Sequence, residues 1–340
     1  MRKNSNRTPI IVLALVAITL LSMAYISKQN TGDNEPPVYT ILNPPGDVTS
    51  MVERGETLWV GGKEGVVGVN IETHNVFLLD CSERMTYTRH MLLDGDTLWI
   101  GHDRGLTWYN SSGCETLSTE DGMVDDRVNY LLKTGDGTLW AGTWHGAYYY
   151  RDGHWSRITE SDGLLDNYVN VMFEDSHGGI WYGSYVAPNG GISIHKANGE
   201  WQYFTTENGL IHNNIVQFYE DTDGSIWVST GLMTVGAAIR FEFNDGEWRI
   251  AEVLNDADGL PLGKIRSVFR DANGYLWIGS ENEGLALETP SGFRILRRED
   301  GLSHDEVKVY YVDPTGSIWL GTRDGITILS ESDVSDIRGF

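Results

Sequence analysis

From Val38 to Leu329 short apolar runs alternate with polar, glycine-bearing turns. One arrangement of them recurs along the whole stretch. Its clearest marker is a tryptophan preceded by Leu or Ile, at Trp59, Trp99, Trp140, Trp181, Trp227, Trp277 and Trp319, with spacings of 40, 41, 41, 46, 50 and 42 residues. Glycine follows two residues later in six copies (Gly61, Gly101, Gly142, Gly183, Gly279 and Gly321), and Ser229 stands there in the other. Each copy reads as four short β-strands: an apolar run, a turn, the Trp-bearing strand, a strand opening on glycine, and a strand led by Trp or Phe. A 40- to 50-residue period with four strands per unit is the signature of a β-propeller. The pattern therefore predicts an all-β, seven-bladed β-propeller of four-stranded antiparallel blades over residues 38–330.

The turns support this reading. In four copies the first two strands flank Asp-x-x-Gly: Asp175 to Gly178, Asp221 to Gly224, Asp271 to Gly274 and Asp313 to Gly316. Asp can accept a backbone N–H in such a turn, and Gly can take positive φ. Asp221-Thr222-Asp223-Gly224 resembles the start of an EF-hand loop, but the later ligands are missing and a strand follows. The tryptophan is a wedge between neighbouring sheets, and the glycine beyond it lets the next sheet approach. The seventh copy lacks a clear fourth strand. Val38 to Leu42 reads as an orphan strand that completes blade seven and closes the ring, so that no edge stays open at the seam.

Ahead of the propeller, Arg2, Lys3 and Arg7 precede an uncharged run from Pro9 to Ser27. Residues 1–27 are expected to be a signal peptide or a membrane anchor. Either puts the rest outside the cytoplasm, because the positive flank stays inside. No Cys follows the apolar run, so a lipid anchor is not expected. Residues 28–37 read as a linker and 331–340 as a tail.

Composition adds two points. Glycine numbers 40, well above the usual ~7%. Lys plus Arg is 25 against 48 Asp plus Glu, a formal charge of −23. A surface that acidic repels phosphate backbones, so nucleic acid is not an expected partner. The two cysteines, Cys81 and Cys114, would ordinarily be read as a disulfide in an oxidising compartment. The repeat register points the other way. It puts Cys81 in the loop leaving blade one and Cys114 at the start of a fourth strand, on opposite faces, about 17 Å apart for a five-residue strand. Two free thiols are the expectation, with Cys114 a small apolar filler.

LWIGHDRGL, LWAGTWHGA, LWIGSENEGL and IWLGTRDGI, each with an Asp-Gly-Leu-type lead-in, resemble the two-component regulator propeller repeat. The resemblance covers residues 38–330. It implies a periplasmic ligand-binding sensor propeller, of a family many of whose members are tied to polysaccharide sensing, with a membrane sensor kinase as the implied partner. No kinase, receiver or DNA-binding segment follows within the sequence, so a stand-alone sensor is expected. A catalytic or cofactor-dependent role is not read from the residues: the nine His show no metal spacing, and HExxH, GxSxG and P-loop motifs are absent. Two alternatives stay open, a lyase or hydrolase resembling virginiamycin B lyase, also a seven-bladed propeller, and a protein-interaction scaffold.

With the strands of a blade lettered a to d from the channel outwards, the b–c and d–a loops share one face. From Trp to the Gly opening strand c, five blades use six or seven residues, whereas blade four uses ten and blade five nine. Such loops are where binding collects. Tyr182, Tyr185, Asn189 and Met233 would wall that region. Aligning strand a by the Trp places Thr49, Arg89, Asn129, Asn170, Val216, Arg266 and Lys308 at one position near the same face. His102, His145, His212 and His304 map there too. The ligand-binding candidates are Arg89, Asn129, Asn170, Arg266, Lys308, Tyr185, His145 and His212, for a small anionic or carbohydrate ligand. The competing reading pairs the cations with Asp126, Asp305 or Glu306 to hold blades together.

Overall fold

The computed structural model describes residues 39–43, 45–82, 85–119, 127–185, 189–261 and 263–338. The proposed export segment and linker lie outside these. Seven four-stranded antiparallel sheets make a closed ring. Strand β1 is Thr40–Leu42. Blade one is β2 (Ser50–Arg54), β3 (Thr57–Gly62), β4 (Gly65–Asn70) and β5 (Val76–Leu78); blade two is β6 (Thr88–Asp94), β7 (Thr97–His102), β8 (Gly105–Asn110) and β9 (Gly113–Leu117). Blade three is β10 (Tyr130–Lys133), β11 (Leu139–Thr143), β12 (Gly146–Arg151) and β13 (His154–Ile158); blade four is β14 (Val169–Glu174), β15 (Ile180–Ser184), β16 (Ile192–His195) and β17 (Trp201–Phe204). Blade five is β18 (Ile215–Glu220), β19 (Ile226–Leu232), β20 (Val235–Asn244) and β21 (Glu247–Leu254); blade six is β22 (Ile265–Arg270), β23 (Leu276–Ser280), β24 (Leu285–Thr289) and β25 (Gly292–Leu296). Blade seven is β26 (Val307–Val312), β27 (Ile318–Thr322) and β28 (Gly325–Leu329), with β1 as its outer strand.

Closure is as the sequence predicts. Thr40, Ile41 and Leu42 pair antiparallel with Ile328, Thr327 and Ile326. Leu42 enters the core shared by blades seven and one, and Tyr39 the core shared by blades six and seven. Residues 331–338 form helix α1, whose Val334 and Ile337 are buried against that second core. Arg338 ion-pairs with Asp271 and lies over the Tyr275 ring at 4.4 Å, and Ile337 O accepts a hydrogen bond from Arg294.

The core is a series of inter-blade clusters, as expected for sheets that each bury both faces. The glycine after the Trp is where neighbouring sheets come closest. A Cβ on Gly183 would meet Ile215 of the next blade at 2.7 Å, and one on Gly321 would meet Val48 at 2.6 Å. The lead-in before strand a also has a mechanical basis. Asp162, Asp258 and Asp300 accept the backbone N–H of Thr159, Asn255 and Arg297, closing a short 3-10 turn. The glycine that ends it takes positive φ, 124° at Gly163, a region costly for other residues. The leucine that follows (Leu164, Leu260 and Leu302) is buried.

The cysteine expectation is corrected. Cys81 and Cys114 form a disulfide with Cα atoms 6.4 Å apart. Cys114 does occupy the register position of Trp155, opposite Tyr109 as Trp155 is opposite Tyr150. The error lies in placing Cys81 out on a loop. The chain leaving β5 folds into the gap between blades one and two, where Leu79, Cys81 and Met85 are buried in the cluster that includes Trp59, Tyr109 and Cys114. Burial draws Cys81 beside β9, within reach of a disulfide.

Candidate functional site

Five of the seven equivalent positions read from the sequence turn out to be bulges. In blades two, four, five, six and seven the pairing of strands a and b skips one residue: Arg89, Asn170, Val216, Arg266 and Lys308. In blades one and three, Thr49 and Asn129 lie just before strand a and donate their N–H groups to Gly61 and Gly142. A bulge takes its residue out of the ladder and re-aims the side chain. Seven side chains are thus set in a ring at the channel mouth, on the face of the b–c and d–a loops.

The polar members of the ring stitch blade to blade. Thr49 Oγ1 donates to Thr88 O at 2.6 Å, Asn129 Nδ2 to Val169 O at 3.0 Å, and Asn170 Nδ2 to Ile215 O at 2.8 Å. The cations are partnered as well. Arg89 pairs with Asp103 at 2.6 Å; Arg266 with Glu281 at 2.7 Å and with Glu306; Lys308 with Asp47 and, at 3.7 Å, Glu306. Glu306 is 6% exposed at its side chain, so both cations are needed to keep its charge in a dry setting. Of the carboxylates named in the sequence reading, Glu306 is the one that holds ring cations; Asp126 lies outside the described residues.

Lys264 was missed by the sequence reading, because it precedes the aligned position and no periodic signal marks it. Its side chain is 2% exposed, 3.3 Å from Glu281, with the ammonium 5.2 Å from the Tyr185 ring centroid. Burial, helped by nearby Arg266, lowers it to about 8. Tyr185, Lys264, Glu281, Arg266, Glu306, Lys308 and Asp47 therefore form one chain of contacts across the mouth. Asp47 is pushed up by burial, but hydrogen bonds from Lys308 and Tyr87 outweigh this and hold it below the usual carboxylate range.

The histidines hold turns. Nδ1 of His102, His212 and His304 accepts the backbone N–H of Arg104, Asn214 and Glu306. Burial, then Lys264, lowers His212 below its ordinary value. His145 sits in the b–c turn of blade three, its own N–H bonded to Thr143 Oγ1 and its carbonyl to Arg157. Beside it, Trp144 stacks on Tyr168 at 5.5 Å and lies under Arg127 at 3.8 Å. On the blade-four and blade-five side, Met233 is 72% exposed and Asn189 is exposed. Tyr182 does not wall this face: it is buried among Trp140 and Trp201.

A cleft of about 470 Å³ opens on the same face across the mouth, at the seam of blades seven and one. Asn43, Gly46, Asp47, Lys63, Glu64, Tyr87, Arg323 and Asp324 line it. Lys63 and Arg323 are exposed and, among the described residues, have no carboxylate within ion-pair distance. No group of three or more His, Cys, Asp or Glu able to hold a metal occurs among the described residues. Nor is any helix among them long and apolar enough to cross a membrane.

Three segments, residues 163–186, 209–231 and 259–282, match the family model of the two component regulator propeller. No curated protein matches the sequence. Among solved structures, the chain is similar to the extracellular domain of BT3049 from B. thetaiotaomicron, named as part of a hybrid two component system, with 20% identity, TM-score 0.67, and 89% of this chain and 41% of that one covered. It is also similar to the extracellular domain of BT4673 from the same organism, with 20% identity, TM-score 0.67 and 87% and 40% coverage. The chain thus spans about two fifths of the length of these domains. A catalytically inactive virginiamycin B lyase from Staphylococcus aureus, solved with quinupristin, matches with 13% identity, TM-score 0.62 and 86% and 98% coverage. At these identities the likeness shows the propeller fold alone.

Proposed function

We propose that this chain, a propeller of which three segments match the two component regulator propeller, is the extracytoplasmic ligand-binding part of a sensing system. In this reading it takes a small acidic or hydroxyl-rich molecule, such as an acidic oligosaccharide, on the b–c and d–a face and works with a membrane sensor kinase. The observation that carries the reading is the polar cleft at the seam of blades seven and one. There Lys63 and Arg323 belong to no ion pair among the described residues, beside Asp47, Glu64 and Asp324, in a protein of net charge −23. Unpaired cations beside hydrogen-bonding groups are what a carboxylate-bearing sugar requires. The ring cations Arg89, Arg266 and Lys308 are already neutralised by Asp103, Glu281, Glu306 and Asp47, so they act as the rigid floor and tune the field.

The test is calorimetric titration with tri-galacturonic acid, then with the variants Lys63→Ala and Arg323→Ala. Saturable binding that weakens about tenfold or more in each variant, with melting unchanged, supports the assignment. Undiminished binding in both variants removes the cleft. Arg266→Ala is expected to lower stability as well as binding, because it strips one of two cations from buried Glu306.

A further inference from the structure

The opposite face of the ring carries a second groove, about 500 Å³, at the same seam. Its parts are the a–b and c–d turns of blade one, the a–b turn of blade seven, the ends of β1 and β28, and the start of α1. Its floor is mostly apolar, with Ile71, Ile328 and Pro314. The His74 imidazole meets the Trp319 ring edge-on at 5.3 Å. Burial lowers His74, outweighing the pull of Asp313, which raises it. Five carboxylates surround this floor, from Glu53, Glu56, Glu72, Asp313 and Asp333.

Those carboxylates differ from the ones at the channel mouth. There Asp47, Asp103, Glu281 and Glu306 each touch a cation. In the groove none of the five belongs to an ion pair among the described residues, and no Lys or Arg lines it. Three are partly occupied by neutral donors: Glu53 accepts from Tyr311 Oη at 2.8 Å, Asp313 from Trp319 Nε1 at 3.0 Å, and Asp333 from Ser330. Glu56 and Glu72 are exposed and take no such bond among the described residues. A groove of this size falls in the range that encloses a small organic molecule.

We propose that this seam groove binds a small organic ammonium with an apolar body, such as an arylalkylamine. The body covers Ile71, Ile328, Pro314 and His74, and the ammonium sits between Glu56 and Glu72, replacing their water with charge-assisted hydrogen bonds. The apolar floor selects against inorganic cations, which gain nothing from it. The unpaired carboxylates select against neutral or acidic molecules of the same shape.

The experiment titrates the full chain with tryptamine hydrochloride by calorimetry at low and physiological salt, with tryptophol as the neutral isostere. Saturable tryptamine binding is expected, at least tenfold tighter than tryptophol and weaker in salt. Glu56→Gln with Glu72→Gln is expected to weaken it at least tenfold. Glu207→Gln with Glu252→Gln removes the same charge from exposed positions elsewhere and is expected to leave the affinity within twofold. Equal affinity for tryptophol, equal loss in the two double variants, or absence of saturation each overturns the proposal. Lys63→Ala, on the other face, is expected to have no effect, so failure here is separable from failure of the acidic-sugar site.

Discussion

Blades four to seven and blades one to three share a plan but hold their central tryptophan differently. In the first group the Asp of the a–b turn lies six residues before the Trp and accepts its indole N–H: Asp175 from Trp181 at 2.7 Å, Asp221 from Trp227 at 3.2 Å, Asp271 from Trp277 at 2.6 Å and Asp313 from Trp319 at 3.0 Å. In the second group the turns of blades one and two are two-residue hairpins, Thr134 stands at the Asp position of blade three, and the indole nitrogens of Trp59, Trp99 and Trp140 are buried without a partner. The four clasped tryptophans are 0–2% exposed, whereas Trp59 is 7% and Trp140 6%. Blades one and two have the disulfide instead. The same wedge can be locked by a charge-assisted hydrogen bond within a blade, or its neighbourhood can be tied covalently across two. The three segments matching the family model all lie in the clasped arc.

The largest test opens the ring. Deleting residues 1–43 removes β1 and, with it, buried Tyr39 and Leu42. At about 2 kcal/mol per fully buried large side chain, and with one edge of β28 bared, the loss is roughly 5 kcal/mol. Calorimetry should show the arc of blades one to three melting first. An unchanged melting temperature would remove the closure argument.

Asp175→Ala should come next. Asp175 accepts from Trp181, from Trp248 of blade five at 3.1 Å, and from the N–H groups of His177 and Gly179. Hydrogen bonds to a charged group contribute about 1.5–3 kcal/mol each, and stranded donors cost more, so about 4 kcal/mol is expected in urea titration. Thr134→Ala in blade three should cost about 1 kcal/mol. Equal costs would mean the clasp is incidental.

Reduction of the Cys81–Cys114 disulfide, or Cys81→Ala with Cys114→Ala, should cost about 3–4 kcal/mol for its 33-residue separation and act on blades one and two. Thiol titration of the denatured, unreduced protein should find no free thiol. Trp277→Phe should cost about 1 kcal/mol more than Trp140→Phe, because only the first removes a hydrogen bond to a carboxylate, Asp271, which keeps its Arg338 and backbone donors.

The smallest effect is a pH dependence from the unclasped arc. His90 stacks on Tyr130 at 3.8 Å and its Nδ1 accepts from Leu131 N, and burial lowers it to about 3. The unfolded chain takes up this proton first, near pH 6.5, so stability is full above that pH and falls by about 1.4 kcal/mol per unit below it. His90→Gln should flatten urea midpoints between pH 6.5 and 5. An unaltered slope would assign the dependence elsewhere.

The ring was legible because its signals are local and repeat: a Trp, a Gly, a turn. The Asp of that turn was read only as a backbone acceptor, although the six-residue offset to the Trp was visible in four copies. The bulge position could be aligned from the sequence, but not the partners of its side chains. Glu306, named from the sequence among possible partners, and Asp47 come from the next blade, brought near by the ring's curvature, whereas Glu281 lies in the b–c turn of Arg266's own blade, and no spacing encodes either contact. Lys264 and the path of Cys81 were missed for the same reason: each is placed by burial in a gap between sheets, outside the repeat.

The pairing of β1 with β28 also sets how the molecule bears load. A segment attached before Tyr39 pulls on blade seven, and one attached after Arg338 pulls on α1, which is held against blades six and seven. Tension between two such segments runs through three residue pairs of one sheet and through the anchors of α1 on blade six, Arg338 to Asp271 and Arg294 to Ile337, bypassing the channel and blades two to five. A tether can therefore tug on this disc without deforming the face where a ligand would sit, until the single outer strand shears away and the ring springs open.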